Sequence, residues 1–105
     1  MSKEKLLEIL SDKSARDDER DDAAIDLGCF DGNDVKNVLF QVANDLRENE
    51  MIRASCGESL AQIWIRNNYY DIDYLLILQD IAKVEALAII KADKPTWYQE
   101  YLEKK

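Results

Sequence analysis

Three stretches of this chain carry the same four-position signature. Arg20 superposes on Arg53 and Lys83, Ala23 on Cys56 and Ala86, Ala24 on Gly57 and Leu87, and Leu27 on Leu60 and Ile90, at offsets of 33 and 30 residues. A base, small residues three and four positions on, and a large apolar residue at the seventh lie on one stripe of an α-helix. A strand would scatter them over both faces. The small pair lets a neighbouring helix approach closely, and the large residue fills the next layer. One such unit cannot bury its own apolar face, so at least three must stack. The pattern predicts an all-α chain: a short solenoid of about three helix pairs with a C-terminal capping helix, one domain over residues 1–105.

The rest of the chain is consistent with helices throughout, since it holds only three Gly and one Pro. Leu6, Leu7, Ile9 and Leu10 mark a first helix with Ser2 as its N-cap, and Ser11 to Ser14 a loop. A second helix carries Ala23, Ala24, Ile25 and Leu27 and ends near Gly28 to Phe30. Asp31-Gly32-Asn33-Asp34 reads as a turn and cap. Val35, Val38, Leu39, Val42 and Leu46 line a third helix, and Arg47 to Glu50 a loop. The fourth helix shows Ile52, Cys56, Leu60, Ile63 and Trp64 on one side. Tyr69 to Tyr74 alternates like a strand, but no second strand exists to pair with it. A helix capped by Asp71 or Asp73 is the better reading. A further helix spans Lys83 to Lys91 after a break near Asp80. Pro95 opens a last helix, with Trp97, Tyr98, Tyr101 and Leu102 on one side. Cys29 and Cys56 read as small core residues rather than a disulfide framework.

The net charge is −8, and it is unevenly placed. Asp17, Asp18, Glu19, Asp21, Asp22, Asp26, Asp31 and Asp34 stand against Arg20 alone, so this stretch is −7 and the remainder nearly neutral. Phosphate backbones repel such a surface, which argues against nucleic acid as a partner. A cationic protein would be steered toward it. Without such a partner, the acids would serve only solubility. No apolar run reaches 18 residues, so no membrane span is expected. The opening MSKEKLLEIL has too short an apolar stretch for a signal peptide. These features predict a cytoplasmic protein.

Catalytic chemistry has little to work with. The chain has no histidine, which removes Ser-His-Asp and Cys-His nucleophile systems and most zinc and iron sites. No glycine-rich phosphate loop occurs. Asp31 to Asp34 does not fit an EF-hand, which needs Gly sixth and Glu twelfth. The expectation is no enzyme, no catalytic residue, no cofactor and no metal.

The segments Arg20–Gly28 (Arg-Asp-Asp-Ala-Ala-Ile-Asp-Leu-Gly) and Ile52–Trp64 (Ile-Arg-Ala-Ser-Cys-Gly-Glu-Ser-Leu-Ala-Gln-Ile-Trp) resemble the second helices of HEAT-like repeats. The usual pattern there is a base, two small residues, then Leu-Gly or Leu-Ala. The resemblance covers residues 17–66 and is weak over the first and last helices. Leu87 departs from it. HEAT-like repeats serve mainly as binding scaffolds. A small acidic protein of this kind also resembles bacterial immunity proteins of contact-dependent growth inhibition systems. The resemblance implies binding to a cognate basic toxin domain, such as a nuclease, whose active site is covered. No single residue is diagnostic of it.

The acid-rich second helix is the first candidate surface. Asp18 and Glu19, like Asp17, suit a helix N-terminus. Asp21 lies beside them. Asp22 and Asp26 form an i, i+4 pair opposite Ala23, Ala24 and Leu27, a small local penalty that suggests an external partner. In HEAT-like stacks the second helices line the concave side, so Ser55, Glu58, Ser59 and Gln62 would continue this surface. Glu58 has an alternative role as an ion-pair partner of Arg20 or Arg53. Tyr69 and Tyr70, beside Asp71 and Asp73, are suited to an interface with a basic protein, or else pack under their loop. The competing functions are a generic scaffold or adaptor without inhibition, and, since some HEAT-like proteins act on tetrapyrroles, an enzyme or lyase accessory, against which the absence of His and the scarcity of Cys argue.

Overall fold

Three of the helices start where a side chain accepts otherwise unpaired backbone N–H groups. In the computed structural model, which describes residues 1–105, Ser2 Oγ accepts from the Lys5 amide at 3.1 Å and opens α1, Lys3–Ser11. Helix α2 spans Asp17–Leu27, with three acids in its first turn. Gly32, at φ +116°, leads into α3, Asn33–Ala43, a backbone conformation that favours glycine. Asn49 Oδ1 accepts from Met51 and Ile52 to start α4, Glu50–Asn67, and Asn68 closes it in the left-handed conformation. Asp71 Oδ1 accepts from Asp73 and Tyr74. This cap decides the ambiguous tyrosine segment in favour of a helix, α5, Ile72–Ile77. Helix α6 runs Asp80–Asp93, longer at both ends than expected. Pro95 stands at the start of α7, Pro95–Lys104. All seven elements are helices.

Three expectations are corrected. The third helix stops at Ala43, and Leu46 is 63% exposed. Asn44 and Asp45 end it by bonding backbone elsewhere: Asn44 donates to Ile77 O and accepts from the Gln79 amide, and Asp45 Oδ1 accepts from the Arg47 amide. Ile25 lies on the exposed side of α2 rather than in the core. Cys29 lies beyond the end of α2 and is exposed, whereas Cys56 is buried as expected. Burial pushes the Cys56 thiol well above its ordinary range, and the Asp21 and Glu48 carboxylates add to the effect. A thiol reagent should therefore modify one cysteine, Cys29, in the native protein and the second only after denaturation. Prompt native reaction at both would contradict this packing.

Helices α2, α4 and α6 lie side by side with α4 between the other two. Helix α1 packs on α2 and α3, α3 on α4, and α7 on α6 and α5. Trp64, Leu60, Ile63, Leu27 and Leu39 lie in the core, and α4 is buried along most of its length. Gly57 brings the α4 backbone against Ala82 of α6, where a Cβ would overlap the Ala82 carbonyl oxygen. Leu87, in the same register, has no further second helix beside it. The neighbour there is α7, and Leu87 packs half-buried on the core.

The repeated base has the same task in each unit. Arg20 Nε and Nη2 donate to Leu10 O at 3.0 and 2.8 Å, and Arg53 Nε donates to Ala43 O at 2.8 Å. Each ties its own helix to a carbonyl at the C-terminal end of the helix before it. Lys83 Nζ does so with Leu76 O at 2.9 Å. The guanidinium also reaches into the next unit. Arg20 grips both Glu48 oxygens at 2.8 and 2.6 Å, and Arg53 Nη2 lies 3.4 Å from Asp80 Oδ2. The ion-pair partners are therefore Glu48 and Asp80, not Glu58.

Candidate functional site

On each of α2, α4 and α6, the positions two before the base and one, two, five and nine after it fall on one outward stripe. On α2 these are Asp18, Asp21, Asp22 and Ile25, with Cys29 just beyond its end. On α4 they are Met51, Ala54, Ser55, Glu58 and Gln62, and on α6 Ile81, Val84, Glu85, Ala88 and Ala92. Apart from Ser55, all are exposed or half-buried. The face they form holds five carboxylates and no Lys or Arg. It passes from acidic on α2 to mainly apolar on α6.

The acids of α2 are divided among different tasks. Asp18 and Glu19 pair with Arg16, at 3.1 and 3.3 Å. The Arg16 hydrogen bond holds Asp18 below the usual carboxylate range. Asp31 pairs with Arg66, and Asp34 with Lys3. The −7 of the sequence is thereby halved in effect, leaving Asp17, Asp21, Asp22 and Asp26 without an ion-pair partner. Asp21 accepts from Ser55 Oγ at 2.6 Å. Asp22 and Asp26 are both exposed. They border Ala23 at the junction of α2 with α1.

Ser55 and Ser59 are corrected: both are buried and bonded to α2, Ser55 to Asp21 and Ser59 to Ala24 O at 2.6 Å. They join two helices and present nothing to a partner. Glu58 and Gln62 do lie on the surface, Glu58 half-buried and Gln62 exposed. Burial pushes the Glu58 carboxyl above its ordinary value, and neighbouring Glu85 and Asp21 push it further. Carboxylates of three helices thus face one another with no base among them.

The tyrosine loop is a separate region at the end of α4. Tyr69 is exposed and lines a polar recess of about 220 Å³ with Asn33, Lys36, Asn37, Trp64, Asp71 and Tyr74. Tyr70 is corrected: it stacks on Trp97 with ring centroids 4.6 Å apart, half-buried. Asp71 is occupied as the α5 cap, while Asp73 is exposed without an ion-pair partner. This recess shares no lining residue with the groove of Asp22 and Asp26.

Glu85 was not among the sequence candidates. The overlay contains it, because Glu85 stands two residues after Lys83 as Asp22 does after Arg20 and Ser55 after Arg53. Its neighbour Glu58, five after Arg53, is brought to it by the lateral packing of α4 and α6. No helix is long and apolar enough to cross a membrane. Comparison with protein-family models, curated proteins and solved structures finds no match for this chain.

Proposed function

We propose that this chain is a short HEAT-like solenoid that binds a basic protein, and that it acts in the cytoplasm as an immunity protein for a cognate nuclease-type toxin. In this reading it is no enzyme, carries no cofactor, and belongs to a contact-dependent growth inhibition system. The observation that carries the reading is the base-free face of α2, α4 and α6. Mutually repelling carboxylates held at half-buried positions cost stability locally. A cationic surface docked against them would relieve that cost and speed association. Covering an active site built to grip phosphates would be inhibitory in itself.

A second reading, a scaffold without inhibitory action, is favoured by Ile25, Met51 and Val84, which are exposed apolar residues on the same face. The two readings separate on salt. The protein should be co-expressed with the product of the adjacent gene, and the affinity of any complex measured at low and high salt. The double variant Glu58→Lys, Glu85→Lys should weaken binding about 100-fold and flatten the salt dependence. It should also abolish protection of cells carrying the toxin. Unchanged affinity would remove this face from the interface, and salt-insensitive binding without protection would favour the scaffold.

A further inference from the structure

A trough runs between α1 and α2 at the outer edge of the helix row. Its main part, of about 320 Å³, has Met1 and Ile9 as an apolar wall over the buried Leu6 and Ala23, with Glu19, Asp22 and Asp26 along the rim. A second recess of about 260 Å³ continues it past Cys29 and Phe30 and shares Met1, Leu6 and Asp26 with the first. No Lys or Arg lines either part. Glu19 is answered by Arg16, but Asp22 and Asp26 have no ion-pair partner.

We propose that this trough seats a long cationic side chain, an arginine or lysine, carried by a protein partner. The proposal rests on the binding reading above and names the partner group that the α1–α2 edge takes. An apolar wall beneath a carboxylate rim matches a side chain with a methylene stem and a charged head. The stem lies on Met1 and Ile9, and the head reaches the Asp22 and Asp26 carboxylates. Those two acids stand one helical turn apart, so one cation between them removes their mutual repulsion. Charge selects the source of the occupant. A second copy of this chain is itself strongly acidic, which disfavours self-association here, whereas a basic partner is drawn in.

The test uses the full chain, isotope-labelled for NMR, and a blocked tri-arginine peptide as the probe. Saturable shifts confined to Leu6, Ile9, Asp22, Asp26 and their neighbours are expected. The double variant Asp22→Asn, Asp26→Asn should weaken this binding by about tenfold or more, while Glu58→Gln leaves it unchanged. Shifts spread over every exposed acid, or a double variant that binds like the native protein, would overturn the proposal. A tri-citrulline peptide binding equally well would also overturn it, because charge would not be read. The broader reading fails separately. If the adjacent-gene product binds, and Glu58→Lys disrupts the complex but Asp22→Asn with Asp26→Asn does not, the trough is not the anchor site although the binding function stands. If tri-arginine binds in the trough and no basic protein partner exists, the trough stands and the immunity reading falls.

Discussion

Replacing Glu48 by alanine should destabilise the protein by about 3–5 kcal/mol, because it leaves a buried guanidinium without its counter-charge. The Arg20 side chain is 3% exposed and that of Glu48 5%. Glu48 binds Arg20 through both oxygens, accepts from Lys13 Nζ at 3.1 Å, and accepts from the Asn49 amide at 3.1 Å. A loss of this size is a large share of the total stability of a small domain. Thermal or urea unfolding of Glu48→Ala would show it. Replacing both members, Arg20→Met with Glu48→Leu, should recover part of the loss, since no charge is then stranded. Recovery would remain incomplete because Leu10 O loses its two donors. A single variant as stable as the native protein would contradict the burial of this pair.

The same carboxylate sets a pH dependence. Hydrogen bonds from Arg20 lower the Glu48 carboxyl to about 2, from 4.5 for an unperturbed glutamate. A group depressed in the folded state gives its full stabilisation above the unfolded value and loses it as pH falls toward the folded value. Stability should therefore drop between pH 4.5 and about 2, and Glu48→Gln should flatten the profile over that window. Urea midpoints measured across the range would check the slope.

The second large effect is expected at Gly57. In an isolated helix, Gly57→Ala would gain about 1 kcal/mol from propensity. Here the added Cβ meets the carbonyl, carbonyl carbon and Cα of Ala82, which are backbone atoms and cannot swing aside. Helix α6 must move away from α4 across the most extensive helix contact in the molecule. Overpacking of this kind costs about 1–3 kcal/mol, and the rigid neighbour places it at the upper end. Gly57→Ala should thus be destabilising on balance, and Gly57→Leu should detach α6 from α4. Unfolding curves, together with loss of amide-exchange protection in α6, would report it. A stabilised Gly57→Ala protein would show that the two backbones are farther apart.

Much of the helical content was legible, because caps and periodicity act locally. Ser2, Asp71 and Pro95 each do in the structure what their chemistry suggests in the sequence. The overlay of Arg20, Arg53 and Lys83 identified residues with one shared task. It did not identify their acids, because Glu48 and Asp80 lie 28 and 27 residues downstream, and only helix packing brings them near. The candidate surface was legible in part. Asp22, Glu58 and Gln62 face outward by helical register alone. The inward turn of Ser55 and Ser59 depends on how close α2 lies to α4, and Tyr70 turns inward because Trp97 offers it a stacking partner. Pairing of Asp18, Glu19, Asp31 and Asp34 with bases is likewise a property of three dimensions, and it thins the charge that a residue count assigns to the stretch.

The chain of basic residues also has a direction. Arg20 engages an acid that precedes α4, and Arg53 one that begins α6, so each guanidinium takes its carboxylate from the chain that follows its helix. The series ends at Lys83, whose ammonium has no downstream carboxylate and lies 5.8 Å from the centre of the Tyr101 ring instead. That aromatic contact is a terminator. Lengthening the protein by design beyond α6 would therefore require an arginine in place of Lys83 and, in the added module, a carboxylate to meet it. A module appended after α7 would meet a ring where the coupling requires an acid.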